Sequence, residues 1–358
     1  MKDLDRRLSV APMMDWTDRH CRFFLRGFSP RVLLYTEMIT AAAIKHGDLD
    51  RLLGFDPEEH PVALQLGGSD PQSLADAARA GEEAGYDEIN LNCGCPSDRV
   101  SSGSFGACLM KDPDRVADCV AAMRAVVSVP VTVKMRIGVV DTHDGEPRED
   151  VHKFDEVDFG ALSEFVRKTR DAGSAVSIVH ARKAVLGGLS PKDNREIPPL
   201  RYDVVRRLRD TFPQMPMVVN GGLKDARTAL EAMTWSDGVM LGREAYHRPF
   251  VLREIHDAVY AEAVAVGAVT SRPGAAPPHE ASPAPSTRRQ LAERMTGYAE
   301  RRMRVGDRLS TIARHMLGLY SGQPGAREYR RVLSEGAREP GARPDLILEA
   351  ADRAERAA

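Results

Sequence analysis

Eight short runs of β-forming residues alternate with amphipathic helical patterns over the first two-thirds of the chain. The runs occupy residues 8–13, 32–38, 62–66, 88–92, 131–136, 175–180, 217–220 and 238–241. Between most of them lie helical patterns at 71–85, 113–127, 159–172, 200–212 and 224–233. Such alternation favours parallel strands covered by helices, and eight strands within about 240 residues are typical of a closed barrel. We therefore predict an α/β fold, a (β/α)8 TIM barrel that spans residues 1–266.

The chain after the barrel has a different composition. Residues 267–286 are rich in Ala, Pro and Ser without an apolar period, which is typical of a linker. Residues 287–358 show apolar residues at helical spacing and predict a smaller all-helical domain. From residue 288 onward, fifteen Arg and no Lys stand against ten acidic residues, a net charge of +5, whereas the rest of the chain carries −7. The overall charge of −2 therefore excludes a general attraction to nucleic acid, and the basic character is confined to the helical region.

Nothing in the sequence indicates a membrane or secreted protein. No apolar run approaches the ~18–20 residues of a membrane span, and the charged residues 1–7 do not resemble a signal peptide. Five cysteines, an odd number without framework spacing, indicate free thiols in a reducing compartment. Cys93 and Cys95 are one residue apart, which is not the usual spacing of a zinc or redox pair. We expect a cytoplasmic and monomeric protein without a bound metal.

The segment Asn90-Leu91-Asn92-Cys93-Gly94-Cys95-Pro96-Ser97 places a thiol on a tight turn after the fourth predicted strand. Active sites of TIM barrels are built at the carboxyl ends of the strands. Cys95 is therefore the candidate for chemistry, and Cys93 remains an alternative. Cys21 and Cys119 lie in helical patterns, so we expect them in the core, and we expect a structural role for Cys108.

Two glycine-bearing turns follow the seventh and eighth predicted strands. They are Asn220-Gly221-Gly222 and Gly242-Arg243. Barrels bind phosphate at this place through backbone N–H groups, and glycine lets the backbone approach closely. The pattern predicts a phosphate site with Arg243 as a charged donor, although two ordinary helix-entry turns would look the same.

Polar residues at other strand ends indicate what kind of ligand carries the predicted phosphate group. Lys134 lies in an otherwise apolar strand, where it needs an anion or an ion pair with a carboxylate such as Glu37. His180 is either a satisfied core histidine or a ligand contact, and Gln65 offers an amide to a flat heterocycle. The chain has neither a dinucleotide fingerprint nor a P-loop. Together these residues favour a barrel that binds flavin mononucleotide (FMN).

Motifs in this order resemble those of the tRNA-dihydrouridine synthases over nearly the whole chain. They are Ala11-Pro12-Met13-Met14-Asp15-Trp16-Thr17-Asp18, Glu37-Met38, Leu64-Gln65-Leu66-Gly67-Gly68, residues 90–100, Val133-Lys134-Met135-Arg136, His180-Ala181-Arg182-Lys183 and Asn220-Gly221-Gly222. Residues 106–110, 188–195, 314–320 and 324–327 are similar to the A subfamily, the tRNA-dihydrouridine(20/20a) synthases. Two segments are longer than the family pattern, the linker and an insert at 141–158 that we expect to be a loop over the barrel mouth.

The resemblance implies an FMN-dependent, NADPH-driven reduction of the 5,6 double bond of uridine in the tRNA D-loop, at positions 20 and 20a. Hydride would pass from the flavin to C6 and a proton from Cys95 to C5, since an ordinary thiol with a pKa of about 8.5 is largely protonated at neutral pH. Asn92 would position the uracil. The flavin-binding residues implied are Pro12, Met13, Met14, Gln65, Lys134, His180, Asn220, Gly221, Gly222, Gly242 and Arg243.

A tRNA substrate must present an unstacked base to this site, while basic residues hold its backbone. The candidates for tRNA contacts are Arg182, Lys183, Lys192, Arg195, Arg314, Arg327, Arg330 and Arg331, each of which is otherwise a solvated surface charge. Two other functions remain open at this point. An FMN barrel acting on a free pyrimidine would not need the basic helical region, and an RNA chaperone would not need Cys95, Lys134 or His180.

Overall fold

The computed structural model of the chain describes residues 4–96, 105–143, 146–147, 151–265 and 287–357. The linker predicted at 267–286 and the motif residues 97–100 lie outside these described residues. The eight barrel strands are β1 Leu8–Val10, β2 Leu34–Thr40, β3 Val62–Gly67, β4 Glu88–Cys93, β5 Val131–Arg136, β8 Ser177–His180, β10 Met217–Asn220 and β11 Gly238–Leu241.

These strands form one parallel sheet that closes on itself. Their order is β1-β11-β10-β8-β5-β4-β3-β2, and a parallel bridge between Ser9 and Leu33 joins the two ends. At this bridge Val10 N donates to Leu33 O at 3.0 Å, and Leu33 N donates to Leu8 O at 3.0 Å. The predicted (β/α)8 barrel is confirmed, with each strand within a few residues of its predicted place.

Side chains alternate between the inside of the barrel and the layer of helices around it. Tyr35, Ala63, Ile178, Val218 and Met240 belong to a small apolar cluster inside the ring. Their neighbours along the same strands belong to the large outer core, into which the helices pack. Every second residue of a strand therefore points into the barrel, and we call this alternation the parity of the residue. Only residues of inward parity can reach the barrel mouth.

Ten α-helices surround the barrel in the described residues. They are α1 Arg19–Arg26, α2 Ala41–His46, α3 Leu49–Leu53, α4 Pro71–Glu83, α5 Pro113–Arg124, α6 Glu156–Asp171, α7 Tyr202–Thr211, α8 Ala226–Met233, α9 Arg243–His247 and α10 Phe250–Ala265. In α4 and α5, Asp70 and Asp112 accept the N–H of the third residue of the helix, and a proline follows each aspartate. This Asp-Pro pair satisfies a free N–H group and presets the helical backbone.

The predicted loop at 141–158 is partly wrong, because much of it is ordered as strand and helix. Strand β6 (Val139–His143) pairs in parallel with β9 (Ala184–Leu186) and in antiparallel with β7 (Glu146–Pro147). Val140, Val151 and Val185 form a separate small core beneath this sheet. Val140 of β6 is buried there beside Val185 of β9, and helix α6 begins within the segment, at Glu156.

The described residues after position 286 contain four α-helices, namely α11 Arg288–Arg304, α12 Leu309–Ala313, α13 Ala326–Gly336 and α14 Leu346–Arg356. They pack directly on the barrel, since the ring of Tyr298 stacks on that of Phe23 at 4.0 Å and Leu291 packs close to Gly27. Their apolar residues belong to the same core cluster as those around the barrel. None of the helices in the described residues has the length and apolar character that crossing a membrane requires.

Candidate active site

The carboxyl ends of the barrel strands bring several of the predicted site residues together. Lys134 lies beside Asn92 in the sheet register, and His180 lies beside both Arg136 and Asn220. All five occupy positions of the inward parity. The mouth of the barrel therefore contains an ammonium group, an imidazole, a guanidinium group and two amides within adjacent strands.

Cys95 lies on the loop that continues β4, and several hydrogen bonds hold this loop. The Asn92 Oδ1 atom accepts the backbone N–H groups of Gly94 and Cys95, both at 3.0 Å. The Cys95 carbonyl accepts the N–H of Ala107 at 2.9 Å, and Arg136 Nε donates to the Gly94 carbonyl at 3.2 Å. Gly94 and Cys95 are thus held from both sides, with Cys95 partly exposed.

The other four cysteines lie in different surroundings. Cys93 has outward parity and is fully buried in the outer core, where burial raises its pKa well above the usual value. Cys21 and Cys119 are also buried there, and Cys108 donates its thiol to the Phe105 carbonyl at 3.1 Å. These positions favour Cys95 over Cys93 as the thiol available to a ligand at the mouth.

Positive charges crowd the same part of the mouth. Burial, and then Arg136, lower the pKa of Lys134 to about 8, while the nearby thiol of Cys95 opposes this shift. Burial, aided by Arg195 and Arg182 and opposed by Cys95, lowers the pKa of Arg136 to about 9. Like charges that lower one another's pKa values in a buried place indicate a site prepared for an anion.

His180 is buried at the centre of these charges. Burial, followed by Arg136 and Lys134, holds its pKa well below the usual value. The imidazole is therefore neutral at neutral pH and can donate or accept a hydrogen bond without adding charge. Glu37, the alternative partner considered for Lys134, is not among the groups that shift the pKa of that lysine.

Arg136 is a site residue that the sequence reasoning missed. The residue is only 3% exposed, and its Nη1 donates to the carbonyls of Asn194 at 3.0 Å and Lys183 at 3.3 Å. The alternation of side chains along β5 could have identified Arg136, because Thr132, Lys134 and Arg136 share the inner face of this strand.

The turn after β10 requires glycine. Gly221 and Gly222 have φ values of +107° and +72°, and a Cβ atom at Gly221 would lie 2.5 Å from His180 Cδ2. Asn220 Nδ2 donates to the Met240 carbonyl at 2.7 Å and ties this turn to β11. At Gly242, a Cβ atom would meet open space within the described residues. The two turns form a glycine-lined edge on one side of the mouth.

The segment after β1 lies on the rim of the mouth. Met13 N donates to Thr17 Oγ1 at 2.9 Å, which closes a tight turn. Pro12 and Met13 are partly exposed, and the Met14 side chain is 55% exposed. An exposed apolar side chain of this size at the mouth is available to a flat ligand or to RNA.

The amide of Gln65 lies inside the barrel, below the mouth. It is 1% exposed, and its two polar atoms bond to Asn90 and Asn92 at 2.8 and 2.9 Å. Gln65 Nε2 keeps one N–H group after the bond to Asn90.

The basic residues after β8 differ in exposure and in whether their side chains already have partners within the protein. Lys183 is 3% exposed and donates to both carboxylate oxygens of Asp158 at 2.9 and 3.0 Å. This place does not fit the expected RNA contact, because the ammonium group is already paired beneath the surface. Lys192 is exposed, and Arg182 donates to the carbonyl of Pro198.

Arg195 lies near Arg243, because burial and then the charge of Arg243 lower the pKa of Arg195. Arg243 Nη1 donates to Glu196 Oε1 at 2.8 Å. The buried Nε atom of Arg195 has no hydrogen-bond partner among the described residues. This N–H group is therefore available to an acceptor atom of a ligand.

The predicted arginines of the helical region divide into two kinds. Arg314 Nη2 lies 2.9 Å from Asp18 Oδ2, and Arg331 pairs with Glu328 on its own helix at 2.7 Å. Arg327 and Arg330 are exposed, and neither has an ion-pair partner in the part of the chain that the structure describes. The second pair is therefore free to meet phosphate groups. The described residues contain no group of three or more His, Cys, Asp and Glu side chains placed to hold a metal ion.

Comparisons with known proteins show the family of the chain. The family model for dihydrouridine synthase (Dus) matches residues 9–355. A tRNA-dihydrouridine(20/20a) synthase of Xanthomonas campestris pv. campestris is 49% identical over 97% of this chain and 93% of its own. Relatives of the same name in Synechocystis sp. and Vibrio cholerae are 49% and 47% identical, over 95% and 96% of this chain and 92% and 95% of their own. The chain therefore belongs to the dihydrouridine synthase family.

Proposed function

We propose that this protein is a tRNA-dihydrouridine synthase that reduces the 5,6 double bond of uridine at positions 20 and 20a of the D-loop. The observation that carries the proposal is the thiol of Cys95, held on a fixed loop beside Lys134 and Arg136 at the mouth of the barrel. The names of relatives that match almost the whole chain support the choice of positions 20 and 20a.

The residues at the mouth fit FMN. The glycine-lined turns at Asn220–Gly222 and Gly242 leave room for a phosphate group beside Arg243, and the unpaired Nε atom of Arg195 supports an anion there. Lys134 and the neutral His180 would meet the polar edge of the isoalloxazine ring, together with the free N–H of Gln65. Pro12, Met13 and Met14 would line its apolar side.

The chemistry that FMN supplies when bound is hydride transfer to C6 of the uracil, with NADPH as the source of the electrons. The protein has to add a proton at C5. Cys95 would donate this proton from its thiol, because it is partly exposed at the mouth, whereas the thiol of Cys108, also partly exposed, already donates to the Phe105 carbonyl. The cationic groups of Lys134 and Arg136 would stabilise the negative charge that remains on the sulfur.

The surface around the mouth suits a polyanion that delivers one unstacked base. Arg182, Arg195 and Lys192 follow β8 at the mouth, and Arg314 reaches the same rim through its pair with Asp18. Arg327 and Arg330 extend the positive surface along α13. We propose that these residues contact the tRNA backbone, and that Lys183 instead supports the segment from within.

Mass mapping of tRNA from cells that lack the protein tests the proposed function. Dihydrouridine should disappear at positions 20 and 20a and persist at 16 and 17. Loss at position 16 or 17 alone would reject the assignment of the substrate position.

A Cys95→Ala variant tests the chemistry with purified components. It should retain its flavin absorbance and lose turnover by at least about a hundredfold, which is the usual loss for a missing general acid. Undiminished formation of dihydrouridine would remove Cys95 from the proposed role. The matched control is Cys108→Ala, which changes a neighbouring cysteine and should keep turnover.

A further inference from the structure

A chain of buried side-chain hydrogen bonds runs up the inside of the barrel towards the loop that carries Cys95. At its lower end the fully buried carboxylate of Glu88 pairs with Arg6, whose Nη2 atom lies 2.6 Å from Oε2. Thr132 donates its hydroxyl group to Glu88 Oε1 at 2.6 Å. Asn90 Nδ2 then donates to the Thr132 oxygen at 2.9 Å.

The upper half of the chain consists of amides. Gln65 Nε2 donates to Asn90 Oδ1 at 2.8 Å, and Asn92 Nδ2 donates to Gln65 Oε1 at 2.9 Å. Asn92 Oδ1 finally accepts the backbone N–H groups of Gly94 and Cys95 at 3.0 Å each. The route therefore joins an ion pair at the bottom of the barrel to the loop at its mouth.

Both ends of this route impose the same direction on the hydrogen bonds. The carboxylate at the lower end only accepts, so Thr132 must donate to it and Asn90 must present its nitrogen to Thr132. The backbone N–H groups at the upper end only donate, so Asn92 must present its oxygen to them. Gln65 lies between Asn90 and Asn92, and only one orientation of its amide gives each N–H group an acceptor. In that orientation Nε2 donates to Asn90 and Oε1 accepts from Asn92.

We propose that Thr132 and Asn90 are positioning residues, which fix the amides of Gln65 and Asn92 and thereby hold the loop of Cys95 in place. Both are 0% exposed and lie one layer below Asn92 in the sheet, so they act through the amides above them. The inference rests on the proposed function in taking Cys95 as the proton donor.

The chain offers a matched pair of variants for the test. Tyr35 and Thr132 each donate a buried hydroxyl group to the same atom, Glu88 Oε1, at 2.6 Å. Only Thr132 continues the route to Asn90. Tyr35→Phe and Thr132→Val therefore remove equivalent bonds to the carboxylate, and Thr132→Val alone breaks the route to the loop.

The first measurement is hydrogen–deuterium exchange of the peptide that contains Gly94 and Cys95, in the full-length protein. Thr132→Val should speed exchange of these two amides by about tenfold, since it leaves a buried amide unsatisfied. Tyr35→Phe should exchange at the rate of the original protein, and so should Thr132→Ser, which keeps the hydroxyl group. Asn92→Ala removes the acceptor itself and sets the upper limit.

The second measurement is turnover on an unmodified tRNA transcript. Thr132→Val should lower kcat by about three- to tenfold with KM for the tRNA unchanged, while Tyr35→Phe and Thr132→Ser keep both values. Equal exchange in Thr132→Val and Tyr35→Phe would overturn the proposal, and so would faster exchange with an unchanged kcat. Should Thr132→Val not fold, Thr132→Ala provides the same comparison with Tyr35→Phe.

The two proposals fail in different ways. Full turnover by Cys95→Ala would reject the proposed proton donor and leave the exchange rates of the Thr132 variants unaffected. Loss of turnover by Cys95→Ala together with unchanged exchange in Thr132→Val would reject the positioning role alone.

Discussion

Replacement of Gly221 by alanine should lower the free energy of unfolding by about 1.5–3.5 kcal/mol, from two separate costs. The first cost is the backbone, because a residue with a Cβ atom at φ +107° is strained by about 1–2 kcal/mol. The second is a collision, since the new Cβ atom would lie 2.5 Å from His180 Cδ2 and 2.8 Å from Nε2. The buried imidazole must then leave its rotamer, which costs about 0.5–1.5 kcal/mol.

Urea unfolding of the flavin-free protein measures this loss, and Gly242→Ala is the matched control. No described atom lies within 4 Å of the new Cβ position at Gly242, so this variant avoids the collision with His180 and should lose less free energy of unfolding than Gly221→Ala, by about 0.5–1.5 kcal/mol. Both variants should bind FMN more weakly, because each adds a methyl group to the proposed phosphate edge. Equal stability of Gly221→Ala and the original protein would refute the reasoning about this turn.

Two further predictions concern charges. The folded pKa of Lys134, about 8, lies below its unfolded value of 10.5, so the charged lysine costs stability at low pH and this cost is relieved as the pH rises from about 8 to 10.5. In urea unfolding without flavin, Lys134→Met should therefore be more stable than the original protein by about 1–2 kcal/mol at pH 7 and should lose this advantage by pH 10.5; lower stability at pH 7 would contradict the assignment. For RNA binding measured by fluorescence anisotropy, Arg330→Ala should lower the affinity for tRNA and reduce the salt slope by about 1, whereas Arg331→Ala, which removes an arginine already paired with Glu328, should have a smaller effect. Equal losses in the two variants would exclude a special role for Arg330.

The barrel could be predicted because its signal is local. Each strand is a short apolar run, and each cap, such as Asp70 before Pro71, lies beside the helix that it starts. The sheet of β6, β7 and β9 could not be predicted in the same way. Strand β6 is stabilised by β9, whose paired residues lie 45 positions further along, and pairing over such distances leaves no pattern in either segment.

The residues of the site likewise divide into those that the sequence could predict and those that depend on contacts distant in sequence. Positions at strand ends predicted that Lys134, His180 and Asn220 would meet at the mouth, because parallel strands bring their carboxyl ends together. Parity would also have identified Arg136. The burial of Lys183 against Asp158 depends on how α6 packs over the strand that follows β8, and the sequence carries no signal for that contact.

The shared core of the barrel and the C-terminal helices has a mechanical consequence. Phe23 and Tyr298 stack within one continuous apolar cluster, so the two parts of the chain should melt in one cooperative transition. The separation between the thiol of Cys95 and the free guanidinium groups of α13 is then set by rigid packing. An RNA that contacts the guanidinium groups of α13 can therefore place a base at Cys95 only if the two contact points on the RNA are separated by this fixed distance.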